Sequence, residues 1–108
     1  MNQVAETLRK AADLCAKGWT QGVMARDAKG KEVPASSPDA VCWCADGAML
    51  AASGDGGIYR DGHTYRPARA ASYSAFGCGP FEFNDAPNRT ADEVIRALRA
   101  AADAVEAQ

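Results

Sequence analysis

Two blocks of the sequence, residues 36–44 and residues 83–90, combine the signal for a helix start with residue types that could do chemistry. In the first block, Ser37 can cap a helix that has Pro38 at its first position. In the second block, Thr90 is followed at the right spacing by a glutamate, which is the pattern of a capping box. The blocks therefore predict where two helices begin, and the same residue types would also suit a binding site.

The predicted fold class is α+β. A chain of 108 residues suffices for a single domain covering 1–108, and no linker or internal repeat divides it. The hydrophobic fraction is 47%, but much of it is alanine, which buries little area per residue, so the core is thin. We expect three main helices around a central apolar helix, with one or two short β-hairpins.

Caps and apolar spacing predict helices over residues 2–17, 37–52 and from 90 onward. The helix over 37–52 is apolar on nearly every side, so we expect it at the centre of the fold. Asp46 is the main exception within it.

Glycine and alternating residues indicate the remaining elements. A β-hairpin is predicted over 19–33, and Phe81 to Phe83 alternates like a short strand. Residues 54–80 form a glycine-rich irregular segment, in which Asp61-Gly62 could turn a second hairpin. For residues 67–76 the pattern leaves a short helix and an ordered loop open.

Charge and hydropathy exclude several classes of protein. The net charge of −2 lacks the basic footprint of a nucleic-acid binder, so DNA is not an expected partner. An export signal and an apolar run able to cross a bilayer are both missing, so no membrane contact is expected and the predicted location is cytoplasmic. Reduced thiols are then expected at Cys15, Cys42, Cys44 and Cys78.

The cysteines are better core residues than ligands. If Cys42 and Cys44 lie in one helix, they point about 200° apart and cannot chelate one ion. No metal and no cofactor are predicted. The alternative is a Cys/His-based enzyme or a metal-binding protein that uses one of these thiols or Cys78 with His63, the single histidine.

Arginines alternate with aromatic rings between residues 59 and 73. Such a segment can stack on a flat ligand while guanidinium groups hold its phosphate or carboxylate oxygens. We therefore predict a non-catalytic binding module that contacts a small anionic, nucleotide-like ligand or a host protein, and a homo-oligomer is compatible with this. The ligand-binding residues chosen from this segment are Tyr59, Arg60, His63, Tyr65 and Arg66, while Arg69 and Tyr73 belong to the same pattern.

Four more residues join the predicted site. Asp46 is a carboxylate in an apolar helix and must find a partner, either an arginine or backbone amide of the chain or a ligand. Asn84 and Asp85 could steer the chain into the capping box or contact a ligand. Arg89 is the residue of that block that turn and cap needs leave unexplained.

The sequence resembles a family of short bacterial and phage proteins that is catalogued as a domain of unknown function. The resemblance lies in the residues WTQG at 19–22, ARD at 25–27, SPDAVCWC at 37–44 with Gly47 and Ala48, and NDAP at 84–87 with Arg89, Thr90, Glu93 and Val94. It spans most of the chain and departs over residues 54–80. It implies a microbial or phage source, as an accessory protein, and supplies no catalytic residues.

Overall fold

The computed structural model describes residues 2–54 and 64–108, and its two longest helices begin at side-chain caps. Helix α1 runs over Gln3–Lys17. The Asn2 Oδ1 caps it by accepting hydrogen bonds from the backbone amides of Val4 and Ala5. Helix α5 runs over Ala91–Glu106 and begins at the capping box of Thr90 and Glu93. The sequence prediction is confirmed for both helices.

Helices α1 and α5 pack against each other in antiparallel directions. Arg9 of α1 pairs with Asp103 of α5 at 2.8 Å, and Asp13 pairs with Arg99 at 3.4 Å. These exposed ion pairs add little stability. The apolar faces hold the helices together, and they contain Ala5, Leu8, Ala11, Ala12 and Cys15 of α1 and Val94, Ile95, Leu98, Ala101 and Ala102 of α5.

The central helix begins later than the sequence predicts. Helix α2 covers Ala45–Ala52, and Ser37 caps no helix. Its Oγ accepts a hydrogen bond from the Asp39 backbone amide at 3.1 Å, which makes a tight turn. The prediction was wrong because turns and N-caps select the same polar residues. Five successive residues of α2, from Ala45 to Met49, are buried, as expected for a central helix.

A two-stranded antiparallel sheet occupies the place of the early part of the predicted helix. Strand β2, Cys42–Trp43, pairs with β1, Ala25–Arg26. The predicted hairpin over 19–33 is present only as a turn, closed by a bridge between Arg26 and Glu32. The main partner of β1 is therefore distant in sequence, and local alternation could not reveal it.

Two further helices lie in or beside the range predicted to be irregular. Helix α3 covers Tyr65–Phe76 and ends at Gly77, whose φ of 77° is left-handed. Residues 67–76, for which the sequence left a helix and a loop open, are thus helical. The corner predicted at 61–62 lies outside the described residues.

Helix α4 covers Pro80–Asn84, so the strand predicted for residues 81–83 was wrong. The two phenylalanines point in different directions along α4. Phe83 stacks on Phe76 with ring centroids 4.6 Å apart, whereas Phe81 is 41% exposed. Pro80 at the first helical position favours this helix start.

The described residues thus form an α+β domain that is mostly helical. Helix α2 contacts α1, α3, α4 and β2, and α3 also packs against α1 and α5. None of the helices in the described ranges is long and apolar enough to cross a membrane.

Candidate functional site

One face of α3 forms a shallow groove of about 460 Å³. Tyr65, Arg69 and Tyr73 follow one another at steps of four residues, so they share this face. Arg66 and Ala70 complete the lining. We call this surface the α3 groove. It places cationic and aromatic side chains next to each other.

Asp46 lies beneath the α3 groove and is only 3% exposed. Its Oδ1 accepts a hydrogen bond from the Tyr65 hydroxyl at 2.9 Å and one from Arg69 Nε at 3.2 Å. Arg69 Nη1 in turn donates to the Tyr73 hydroxyl at 3.0 Å. One buried carboxylate thus holds two of the side chains that line the groove.

The position of Asp46 follows from the tight start of α2. A Cβ at Gly47 would lie 2.1 Å from the Met24 carbonyl oxygen, so only glycine allows this approach of α2 to the chain before β1. The Cys44 sulfur accepts a hydrogen bond from the Gly47 amide at 3.3 Å and caps the helix. These contacts fix the first turn of α2 and direct Asp46 toward α3.

Burial and neighbouring charges shift the pKa values of three groups at the α3 groove. Burial raises the pKa of Asp46 above its ordinary value, while the hydrogen bond from Tyr65 and the charge of Arg69 oppose that rise. Burial also raises the pKa of Tyr65, and the nearby Asp46 adds to this effect. For Arg69, burial lowers the pKa, but Asp46 and Tyr73 outweigh it and the pKa is raised. Arg69 therefore stays cationic.

A second cluster of polar residues is centred on Asn84, which is fully buried. Its Oδ1 accepts hydrogen bonds from Trp19 Nε1 at 2.7 Å and from the Ala45 amide at 2.9 Å. Its Nδ2 donates to the Thr20 carbonyl at 3.1 Å and to Asp85 Oδ1 at 2.9 Å. All donors and acceptors of the side-chain amide are thus used within the protein, which indicates a structural role.

Neighbouring residues extend this network. Gln21 Nε2 donates to the Asn84 carbonyl at 3.0 Å and to the Ala86 carbonyl at 3.3 Å. The Gly22 amide donates to Asp85 Oδ1 at 3.0 Å. The segment after α1, the start of α2 and the end of α4 therefore meet at Asn84.

Arg89 also has a structural role, since it contacts both α4 and α5. Its Nε donates to the Phe83 carbonyl at 2.7 Å, and its guanidinium carbon lies 3.8 Å from the centre of the Phe83 ring. Its Nη1 reaches Glu93 Oε2 at 3.4 Å. These contacts fasten α4 to the start of α5, which accounts for the residue that the sequence left unexplained.

The structure thus separates the predicted site residues into three groups. Asp46, Tyr65 and Arg66 come together at or below the α3 groove. The second group makes the structural contacts described above and is absent from the groove lining; it consists of Asn84, Asp85 and Arg89. The third group lies outside the described residues and comprises Tyr59, Arg60 and His63.

Sequence reasoning did not select the two residues that extend the groove, Arg69 and Tyr73. The spacing of four from Tyr65 would have placed them beside it, had residues 67–76 been read as a helix. It also missed Trp19 and Gln21 as partners of Asn84. No local pattern indicates those contacts, because they join residues more than 60 positions apart.

The buried cysteines are poor candidates for a nucleophile. Burial raises the pKa of Cys44 to about 11 and that of Cys15 to about 12, so both stay protonated at neutral pH. All four cysteines are free thiols. Among residues 2–54 and 64–108, no group of three or more histidine, cysteine, aspartate or glutamate side chains could hold a metal ion.

Comparison with known proteins adds a family but no described activity. A family model described as a family of unknown function, DUF6197, matches residues 1–104. Searches of curated proteins and of solved structures gave no significant match. Since the family model covers nearly the whole chain, the protein belongs to the family of unknown function DUF6197.

Proposed function

We propose that the protein is a non-catalytic binding module that holds a small anionic, nucleotide-like ligand in the α3 groove. The observation that carries the proposal is the position of Arg69. Its guanidinium is fixed by Asp46 on one side and by Tyr73 on the other, yet the side chain is still 33% exposed. A positioned, partly exposed cation suits the recognition of a phosphate or carboxylate.

Charge and shape support the same ligand class. Two of the five residues that line the groove, Arg66 and Arg69, are cationic and none of the five is acidic, although the whole chain carries −2. Tyr73 is 44% exposed and offers a ring face for stacking. The volume of about 460 Å³ lies within the range of small-molecule sites.

The proposal extends to the cellular location and the source of the protein. Thiols persist in the reducing cytoplasm, and all four cysteines are free, so we propose a cytoplasmic protein. The resemblance noted in the sequence supports an accessory protein of a bacterium or phage.

Thermal unfolding in the presence of nucleotides and simple anions tests the proposal. A ligand that binds only the folded state raises the melting temperature, and the rise grows with ligand concentration. We expect a nucleoside phosphate to stabilise the wild type and to stabilise an Arg66→Glu variant much less. Arg96→Glu is the matched control, because Arg96 is also an exposed helical arginine but lies outside the groove.

Two results would contradict this function. Equal stabilisation of the Arg66→Glu and Arg96→Glu proteins would place the ligand elsewhere. A melting temperature that ignores every anion, together with specific retention of a host protein by the same surface, would favour protein docking instead.

A further inference from the structure

In the hydrogen bonds beneath the α3 groove, the chemistry of each group decides which one donates and which one accepts. An ionised carboxylate only accepts and a guanidinium only donates, so Arg69 must donate both to Asp46 and to the Tyr73 hydroxyl oxygen. The Tyr73 oxygen is therefore the acceptor in this contact. Its own proton remains to be donated to another group.

After these bonds are made, Tyr73 and Arg69 each keep a group that can donate to a ligand. Within the described residues, the Tyr73 hydroxyl proton meets no acceptor, and Arg69 Nη2 makes no hydrogen bond. The two groups are close, because Nη1 of the same guanidinium lies 3.0 Å from the Tyr73 oxygen. Acceptance of a bond from a cation also strengthens a hydroxyl as a donor.

We propose that Tyr73 determines the specificity of the groove: its hydroxyl and Arg69 Nη2 donate together to one oxyanion of the ligand. Asp46 is the positioning residue that holds Arg69 in place. This inference rests on the proposed function and narrows it to a ligand with a phosphate or carboxylate group next to a flat ring. A ligand with an ammonium group in that place is rejected, because both protein groups are donors.

Binding of three related probes tests the role of Tyr73. Adenosine 5′-monophosphate carries the oxyanion, adenosine lacks it, and 5′-amino-5′-deoxyadenosine replaces it with a cation. We expect the wild type to bind the monophosphate best and the amine worst in isothermal titration calorimetry. Tyr73→Phe keeps the ring and removes the donor, so the monophosphate should bind about 10- to 100-fold more weakly while adenosine is unaffected.

Ser74→Ala is the matched control, since it removes an exposed hydroxyl from the next position of α3, outside the groove lining. It should bind the monophosphate like the wild type. If Tyr73→Phe also binds like the wild type, or loses adenosine equally, the inference is overturned while the proposed function stands. If the wild type binds none of the three probes but binds another anion, the assigned ligand class is wrong.

The positioning role of Asp46 is tested by whether its replacement weakens or strengthens binding of the monophosphate. Asp46→Ala removes a negative charge, so a site that works by charge alone would bind the monophosphate more tightly. A positioning role requires weaker binding, with affinity retained in Asp46→Asn, which keeps an acceptor oxygen for Arg69. Tighter binding by Asp46→Ala would overturn the positioning role, and melting temperatures confirm that each variant is folded.

Discussion

The indole Nε1 of Trp19 donates a hydrogen bond of 2.7 Å to Oδ1 of Asn84, 65 positions away in the sequence. This contact joins the segment after α1 to the end of α4. Since the same oxygen also accepts from the first residue of α2, one side chain sets the relative positions of three parts of the chain.

Replacement of Asn84 by alanine should strongly destabilise the fold. The change leaves the Trp19 indole, the Ala45 amide and the Thr20 carbonyl without their partner. Each buried polar group left without a partner costs about 1–3 kcal/mol, so the free energy of unfolding should fall by at least about 3 kcal/mol. Urea unfolding measures this, with the exposed Asn88→Gly as control, since its φ of 64° suits glycine. A loss below about 1 kcal/mol would contradict the central role of Asn84.

Replacement of Gly47 by alanine should also destabilise the fold. The added Cβ would lie 2.1 Å from the Met24 carbonyl oxygen, and this backbone atom cannot move aside without displacing α2. Gly79→Ala is the control, because the nearest atom there is the flexible end of Glu82 at 3.0 Å. We expect Gly47→Ala to lower the melting temperature far more than Gly79→Ala. Similar melting temperatures for the two variants would show that α2 does not pack as described.

The stability of the protein should depend on the titration of Asp46. Burial raises the pKa of Asp46 in the folded state above its ordinary value of 3.8, so the folded chain binds this proton more tightly than the unfolded chain. The stabilisation from the proton is complete below that ordinary value and is lost as the pH rises through the folded-state pKa. The free energy of unfolding of the wild type, relative to Asp46→Asn, should therefore fall as the pH rises from below 3.8 through the folded-state pKa. A rise over this interval would show that Arg69 and Tyr65 outweigh burial.

Thiol labelling should divide the four cysteines into two pairs. Cys15 and Cys44 are buried and have raised pKa values, so their thiolate fraction and access are both low. Cys42 and Cys78 are partly exposed. Iodoacetamide should label Cys42 and Cys78 first in the native protein, as followed by mass spectrometry, and all four after unfolding. Rapid native labelling of Cys44 would support the rival cysteine-based enzyme.

Local sequence signals predicted α1 and α5 well. The cap at Asn2 and the capping box at Thr90 act within a few residues of their helix starts, so their patterns are readable without the fold. The start of α2 was mispredicted because Ser37 uses the same chemistry in a turn. Its true start depends on the pairing of β2 with β1, which is a distant contact.

Only part of the candidate site could be predicted from the sequence, because the rest depends on contacts between distant residues. Asp46, Tyr65 and Arg66 stand out by residue type, but α3 has no side-chain cap at its start and contains Pro67 in its first turn. The grouping of Tyr65 with Arg69 becomes evident only in the folded chain, where Asp46 of α2 accepts hydrogen bonds from both. Asn84 and Asp85 carry polar side chains suited to a ligand, and only the folded chain shows that these are used internally.

A two-dimensional NMR titration with adenosine 5′-monophosphate tests the α3 groove most directly. If the groove holds the ligand, amide shifts should be largest between Tyr65 and Tyr73, and should be lost in Arg66→Glu but kept in Arg96→Glu. Shifts centred on Asn84 and Trp19, or no shifts at millimolar ligand, would contradict the account.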